Sequence, residues 1–284
     1  VQTHQVGVGR VVPWLLPGRG AVATQSLSNV SFGPMALTML REGIPAPKII
    51  DALVASDPGH ERRQVAVVDR EGRAAAYTGA GCIRYASHHV GEGYSVQANM
   101  MTRDTVVPAM AQAFESAEGD LAERMVAALR AAQAEDGDIR GMQSAALVVV
   151  PNDVKGPEWA TDYDLRVDES DNPVEELARL VTIRTAQIMN SRGYIALETG
   201  DMDKALSLWK QARAKAPFME EMAYWQAVTL ADKPAEVQKA AEILRPVLAN
   251  EERRDHWLDL LDRLEEVKLI ERAGAAQELR AALA

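Results

Sequence analysis

Polar side chains set inside apolar runs are where this chain can do chemistry, and three groups of them stand out. Thr24, Gln25, Ser26 and Asn29 lie between the run GAVATQ and a segment that opens at Pro34. At such a junction, backbone N–H groups and side-chain amides can converge on a developing oxyanion, while Ser28, Asn29 or Ser31 could instead cap the helix that follows. Gln97 and Asn99 lie two apart, hence on one face of a strand, and read either as substrate-binding amides or as a cross-strand ladder. In DGDIRGMQS, Arg140 can hold a carboxylate through two parallel hydrogen bonds, and Asp138 can orient it or bind a substrate amine; a loop with an internal ion pair is the alternative. An unpaired buried amide costs about 1–3 kcal/mol, so each of these residues needs a partner or a ligand.

Other chemistries find little support. Cys82 has His88 and His89 six and seven residues on, so a thiolate–imidazole pair is conceivable, but one cysteine beside a sheet reads more simply as a small buried hydrophobe. The two histidines are adjacent and would point to opposite faces of a strand, so no metal and no cofactor is expected. Gly7-Val8-Gly9 lacks the rest of a dinucleotide fingerprint, and there is no P-loop, HExxH or GxSxG run. The charged runs Glu61-Arg62-Arg63 and 251–255 read as solvated faces.

The elements that must position these residues can be read from spacing. GAVATQ is a short buried strand; 34–41 is a helix opening with proline and closing at Gly43, and 46–55 is a second helix. QVAVVD and RAAAYT flank Arg70-Glu71-Gly72 as a hairpin, and 94–100 adds a strand. Helices over 105–117 and 120–134 precede AALVVV, apolar enough to be buried on both faces. Strands that pair as neighbours, with helices gathered in twos, predict a largely antiparallel sheet under helical layers and disfavour a Rossmann alternation.

After Asp171-Asn172-Pro173 glycine almost disappears and the apolar spacing turns helical, which predicts two domains, 1–170 and 171–284. Gly193, Ala205, Trp209, Ala212 and Pro217 occupy the small, small, aromatic, small and proline places of a 34-residue tetratricopeptide unit, with Thr199-Gly200-Asp201 as its turn. A weaker helix pair spans 220–231 and 235–248, and a closing helix spans 255 to about 271.

The composition narrows the function. Lys and Arg number 31 against 41 Asp and Glu, for a net charge of −10, which argues against a phosphate-tracking surface and hence against nucleic acid. No stretch reaches the roughly 20 apolar residues of a spanning helix, so no membrane is expected. A single cysteine requires no oxidising compartment, and a cytoplasmic location is the simplest expectation.

Five segments together resemble a known family: VQTHQVGVGRVVPWLLPGRGAVATQS, SNVSFGPMAL, RQVAVVDREGRAAAYTGAGC, HHVGEGYSVQANMM, and GDIRGMQSAALVVV with the later DLRVDES. In order and without large gaps, over about residues 1–170, they are similar to the DUF1028 family of the N-terminal nucleophile (Ntn) hydrolases. The helical remainder resembles the tetratricopeptide-like tail of some members, a segment sometimes labelled peptidoglycan-binding. The resemblance implies an α+β fold, a four-layer αββα sandwich followed by an all-α domain. It also implies hydrolysis of an amide bond by a Thr, Ser or Cys that opens the mature chain and is activated by its own α-amine. Val1 has no such side chain. The strand bearing the nucleophile is therefore expected N-terminal to Val1, with Thr3 and His4 on the neighbouring strand tuning the amine; exposure of Thr3 itself by trimming is a further route.

Two functions follow as expectations. The first is an Ntn-type amidohydrolase of a small amide or peptide, with Thr3, His4, Thr24 and Gln25 in the catalytic apparatus and Asn29, Gln97, Asn99, Asp138 and Arg140 lining the substrate site, Arg140 favouring a carboxylated substrate. The second is a non-catalytic scaffold whose helical lobe binds a peptide or partner subunit. A homo-oligomer is compatible with either.

Overall fold

The structure, a computed structural model, describes residues 1–153 and 155–283. Its chain divides into two compact units, Val1–Val181 and Thr182–Ala284.

The first unit mixes strands and helices. In chain order these are β1 (Gln2–Thr3), β2 (Pro13–Leu16), β3 (Gly20–Ser26), α1 (Phe32–Arg41), α2 (Ala46–Ser56), β4 (Arg63–Asp69), β5 (Ala74–Thr78), β6 (Ser87–Gly91) and β7 (Tyr94–Ala98). They continue with α3 (Val106–Ser116), α4 (Leu121–Ala134), β8 (Ser144–Val149), β9 (Tyr163–Val167) and α5 (Pro173–Glu198), which belongs to the other unit from Thr182 onward. The strands form three sheets, ordered β2-β3-β4-β5, β1-β8-β9 and β6-β7, and every named pair is antiparallel.

Strand β4 is the axis of this unit because both of its faces are buried. Val65 and Val67 pack with Val22 of β3 and with Phe32, Leu40, Ile49 and Leu53 of α1 and α2. Gln64 and Ala66 point the other way and are buried as well. A strand covered on both sides reads as a nearly continuous apolar run, and a single amide within it must be fully hydrogen-bonded. On β7, Val96 and Ala98 pack with Val106, Val107 and Ala111 of α3 and Ala132 of α4, which leaves Ser95 and Gln97 on the opposite face.

Local chemistry explains the turns. The Asp69 carboxylate accepts the backbone N–H groups of Glu71 and Arg73, which closes the β4–β5 hairpin, and also the N–H of Ala46 at the start of α2. Asp120 and Glu123 form a reciprocal capping box at the head of α4. The helix predicted to open at Pro34 instead begins at Phe32, since proline lacks only an N–H that the first turn leaves unpaired anyway. Arg63, expected on a solvated face, lies in β4 and bonds Asp57 at 2.9 Å.

The second unit is helical: the remainder of α5, then α6 (Met202–Lys215), α7 (Glu220–Ala231), α8 (Val237–Leu248), α9 (Glu251–Glu266) and α10 (Ala275–Leu283). Trp209, Tyr224, Leu230, Leu244, Trp257, Leu261 and Leu279 make its core, with Tyr224 stacked on Trp257 at 4.7 Å. A Cβ on Gly193 would sit 2.4 Å from the Trp209 indole, so α5 and α6 approach closely only because residue 193 has no side chain. The closing helix stops earlier than its spacing predicts: Lys268 adopts φ 60°, a left-handed stop, and the chain turns helical again only at Ala275, in α10.

Candidate functional site

Gln64 is the centre of the polar face of the first unit. Its Nε2 lies 3.1 Å from the carbonyl of Ser87, 3.0 Å from that of Ala98 and 2.9 Å from Thr78 Oγ1. Carbonyl oxygens only accept, so the orientation of this amide is settled, and Gln64 Oε1 must face donors. It does: Gln25 Nε2 donates at 2.7 Å and Asn99 Nδ2 at 3.0 Å. One buried side chain thus ties β4 to its neighbours β3 and β5, to β6 and to the end of β7. Gln25 and Asn99 each retain a second amide N–H with no acceptor among the described residues.

Thr78 continues the network. Because it accepts from Gln64, its own proton is free to go to His88 Nδ1, 2.9 Å away. Burial, and to a lesser degree the neighbouring His89, holds the His88 imidazole below its ordinary pKa, which favours the neutral acceptor. His88 and His89 do point to opposite faces; His89 lies against Tyr94. Among the described residues Cys82 forms no hydrogen bond with either imidazole, and its sulfur lies 3.4 Å from the Arg63 carbonyl.

A second cluster borders the first through the backbone. Met100, next to Asn99, accepts from the N–H of Ile139, and Met101 forms a bridge with Asp138. Asp138, buried, takes the Nε and Nη2 edge of Arg140 at 3.0 and 2.7 Å and the Arg140 backbone N–H at 2.9 Å. Arg140 Nη2 also reaches Thr3 Oγ1 at 3.1 Å. That arrangement leaves Nη1 without a partner among the described residues, so a half-exposed guanidinium is held rigidly with one nitrogen open to an anion. Asp138 and its hydrogen bond raise the Arg140 pKa further.

The third group is structural in its bonding. Thr24, fully buried, donates its hydroxyl to the Asn29 carbonyl at 3.2 Å. Asn29 donates to Asp57 at 3.0 Å and accepts from the Ser31 N–H, and no side chain caps α1. Hydrogen bonds from Arg63, Asn29 and the Gly59 N–H pull the Asp57 pKa down to about 2.

Of the residues singled out in the sequence, Gln25 and Asn99 converge on Gln64, and Thr3, Asp138 and Arg140 form one cluster. Gln97 accepts from Ser95, its neighbour on the same face, and Thr24 bonds Asn29, whose side chain bonds Asp57. His4 is exposed and makes no side-chain hydrogen bond among the described residues. Sequence reasoning missed Gln64, Thr78 and Asp57, and weighed His88 only as a partner for Cys82; Gln64, opening the apolar run QVAVVD, met the same criterion that selected Gln25.

Three residues with positive φ flank these clusters: Ser26 (68°) beside Gln25, Met100 (58°) beside Asn99, and Asp136 (64°) two before Asp138. The Ser26 hydroxyl is also buried without a hydrogen-bond partner among the described residues. Such conformations persist only where surrounding structure enforces them, and they gather at functional sites. A separate cleft of about 580 Å³, lined by Ile50, Asp51, Val54, Asp57, His60 and Tyr77, opens on the helix-covered face of β5, opposite to the face that Thr78 presents to Gln64.

Antiparallel sheets covered by paired helices, with amides and one guanidinium gathered at strand ends, define a mixed α/β protein with a buried polar centre. Residues 1–177 match the family described as "Family of unknown function (DUF1028)", and the chain belongs to that family. Among solved structures it is similar to the crystal structure of a Silicibacter pomeroyi protein assigned to DUF1028, with 28% sequence identity, a TM-score of 0.57, and coverage of 63% of this chain and 79% of that one. No curated protein matches it.

Proposed function

We propose that this DUF1028 protein is an Ntn-type amidohydrolase that cleaves a linear amide bond in a small, carboxylated amide or peptide, its first unit being a four-layer αββα sandwich. The observation that carries the reading is the pair of spare amide N–H groups on Gln25 and Asn99, both oriented by the single acceptor Gln64 Oε1. Two preorganised N–H donors next to each other are what a tetrahedral oxyanion needs. The open Nη1 of Arg140 supplies a place for a substrate carboxylate, adjacent through Met100 and Ile139.

In this mechanism the nucleophile lies N-terminal to Val1. Its hydroxyl or thiol attacks the amide carbon while the proton passes to its own α-amine; the leaving amine takes that proton back, and water then releases the acyl group. The αββα assignment is supported by α1 and α2 packing on β3 and β4, and by α3 packing on β6 and β7.

The test pairs N-terminal sequencing of the protein purified from its natural source with amine release from N-acyl amino acids and dipeptides. A mature chain opening with Thr, Ser or Cys that releases amine supports the proposal. A mature start at Val1 without a companion peptide, together with no turnover, overturns it. One observation favours the scaffold reading instead: every hydrogen-bonding atom of Gln64 is satisfied within the protein, as a structural cross-link requires.

A further inference from the structure

The helical unit holds a cation with no counter-ion among the described residues. Gln226 on α7 is fully buried. Arg213 on α6 donates from Nη1 to Gln226 Oε1, and Gln226 Nε2 donates to Asn190 Oδ1 on α5 at 2.7 Å. Trp209, one turn before Arg213 on α6, donates its indole N–H to the Asn190 backbone carbonyl at 3.1 Å.

The donors can be counted along this chain of bonds. A guanidinium has no acceptor, so the Gln226 oxygen must face Arg213 and the Gln226 nitrogen must face Asn190. Asn190 then presents its oxygen inward and is left with Nδ2. That nitrogen has no acceptor among the described residues, and neither do Nε and Nη2 of Arg213, which forms no ion pair among them. Burial lowers the Arg213 pKa from its ordinary value. A cluster with only donors left over and a half-buried positive charge is complementary to a group that only accepts and carries one negative charge.

We propose that Arg213 and Asn190 form a carboxylate-binding site in the helical unit, one that takes the carboxylate of a peptide. A carboxylate fits better than a phosphate dianion because a single guanidinium supplies one charge, and because the neighbouring positions on the same helices, Met189, Ala186 and Ala212, belong to an apolar cluster with Met219 and Met222. The site is separate from the Gln64 centre and does not depend on the hydrolase reading. The carboxylate can come from a free chain terminus or from an acidic side chain.

Calorimetric titration of the full chain separates these sources. The probes are Ac-Ala-Ala-Ala-OH, its C-terminal amide, Ac-Ala-Asp-Ala-NH2 and inorganic phosphate. We expect one or both carboxylate peptides to bind about tenfold more tightly than the amide, and binding to shift the Trp209 indole N–H resonance, because that proton is bonded to Asn190. Arg213→Met should lose about tenfold in affinity. Should that variant unfold, Arg213→Lys, which keeps the charge and loses the planar fork, should bind with intermediate affinity. Equal binding of acid and amide forms, no binding of either, tighter binding of phosphate, or an unmoved Trp209 resonance at saturation would each overturn the site.

Discussion

Gln64 and Asn99 stand 35 positions apart and share one hydrogen bond of 3.0 Å, from the Asn99 amide to the Gln64 oxygen. Through that bond the end of β7 is registered against the buried face of β4. The same oxygen accepts from Gln25, so three amides, from β3, β4 and the residue just past β7, are mutually oriented. Gln64 therefore carries both the fit between the sheets and the orientation of the donors assigned to the oxyanion.

Replacing Gln64 by Leu removes the acceptor for Gln25 and Asn99 and the donor for the Ser87 and Ala98 carbonyls. The expected loss is about 2–3 kcal/mol of stability, since each buried polar group left unpaired costs on the order of 1–3 kcal/mol and the neighbours relax in part. Urea unfolding followed by tryptophan fluorescence measures it; an unchanged midpoint would mean that the hub contributes no net stability.

Arg140→Lys keeps a positive charge beside the buried Asp138 and loses the fork that holds two edges at once. With a carboxylated substrate, KM should rise about tenfold while kcat changes little, because the lost bond positions the substrate before reaction and during it alike. An uncharged amide of the same size should show no such rise. A fall confined to kcat would remove Arg140 from substrate binding.

Asp57 gives the acid limb of stability a recognisable source. Its folded pKa of about 2 lies below the ordinary carboxylate value of 3.8. The stabilisation is therefore present above pH 3.8 and is lost as the pH falls from there through about 2. Denaturation midpoints measured between pH 6 and the acid range should fall less steeply in Asp57→Asn than in the parent protein, roughly at and below the ordinary carboxylate pKa. Parallel curves would place the acid sensitivity elsewhere.

Gly193→Ala puts a methyl group into the Trp209 indole, 2.4 Å from the nearest ring atom. Separation of α5 from α6 should cost about 1–3 kcal/mol, with the near-ultraviolet circular dichroism of tryptophan reduced. Gly200→Ala, at φ 85° with open space around it, should cost only the backbone strain of a turn, about 1 kcal/mol. Thermal unfolding of the two variants side by side separates packing from backbone conformation.

The sequence by itself determined the elements whose apolar spacing is complete within one segment. GAVATQ, the QVAVVD–RAAAYT hairpin, the helices of 105–117 and 120–134, and the helical spacing after residue 173 all follow from local periodicity, because a strand or helix buries its own face wherever its partner lies. It also determined which polar residues would need partners: Gln25, Asn99, Asp138 and Arg140 stood out because amides and charges are expensive in apolar runs. Only the tertiary structure decided who the partners are. Gln64 joins Gln25 to Asn99, His88 meets Thr78 rather than Cys82, Arg63 leaves solvent for Asp57, and Arg213 forms no ion pair among the described residues. Hydrogen bonds across sheets join residues tens of positions apart, and their geometry depends on how layers stack and register. Neither is encoded in the spacing of any one segment, since a strand's alternation specifies which face a side chain takes and not what waits on the other side.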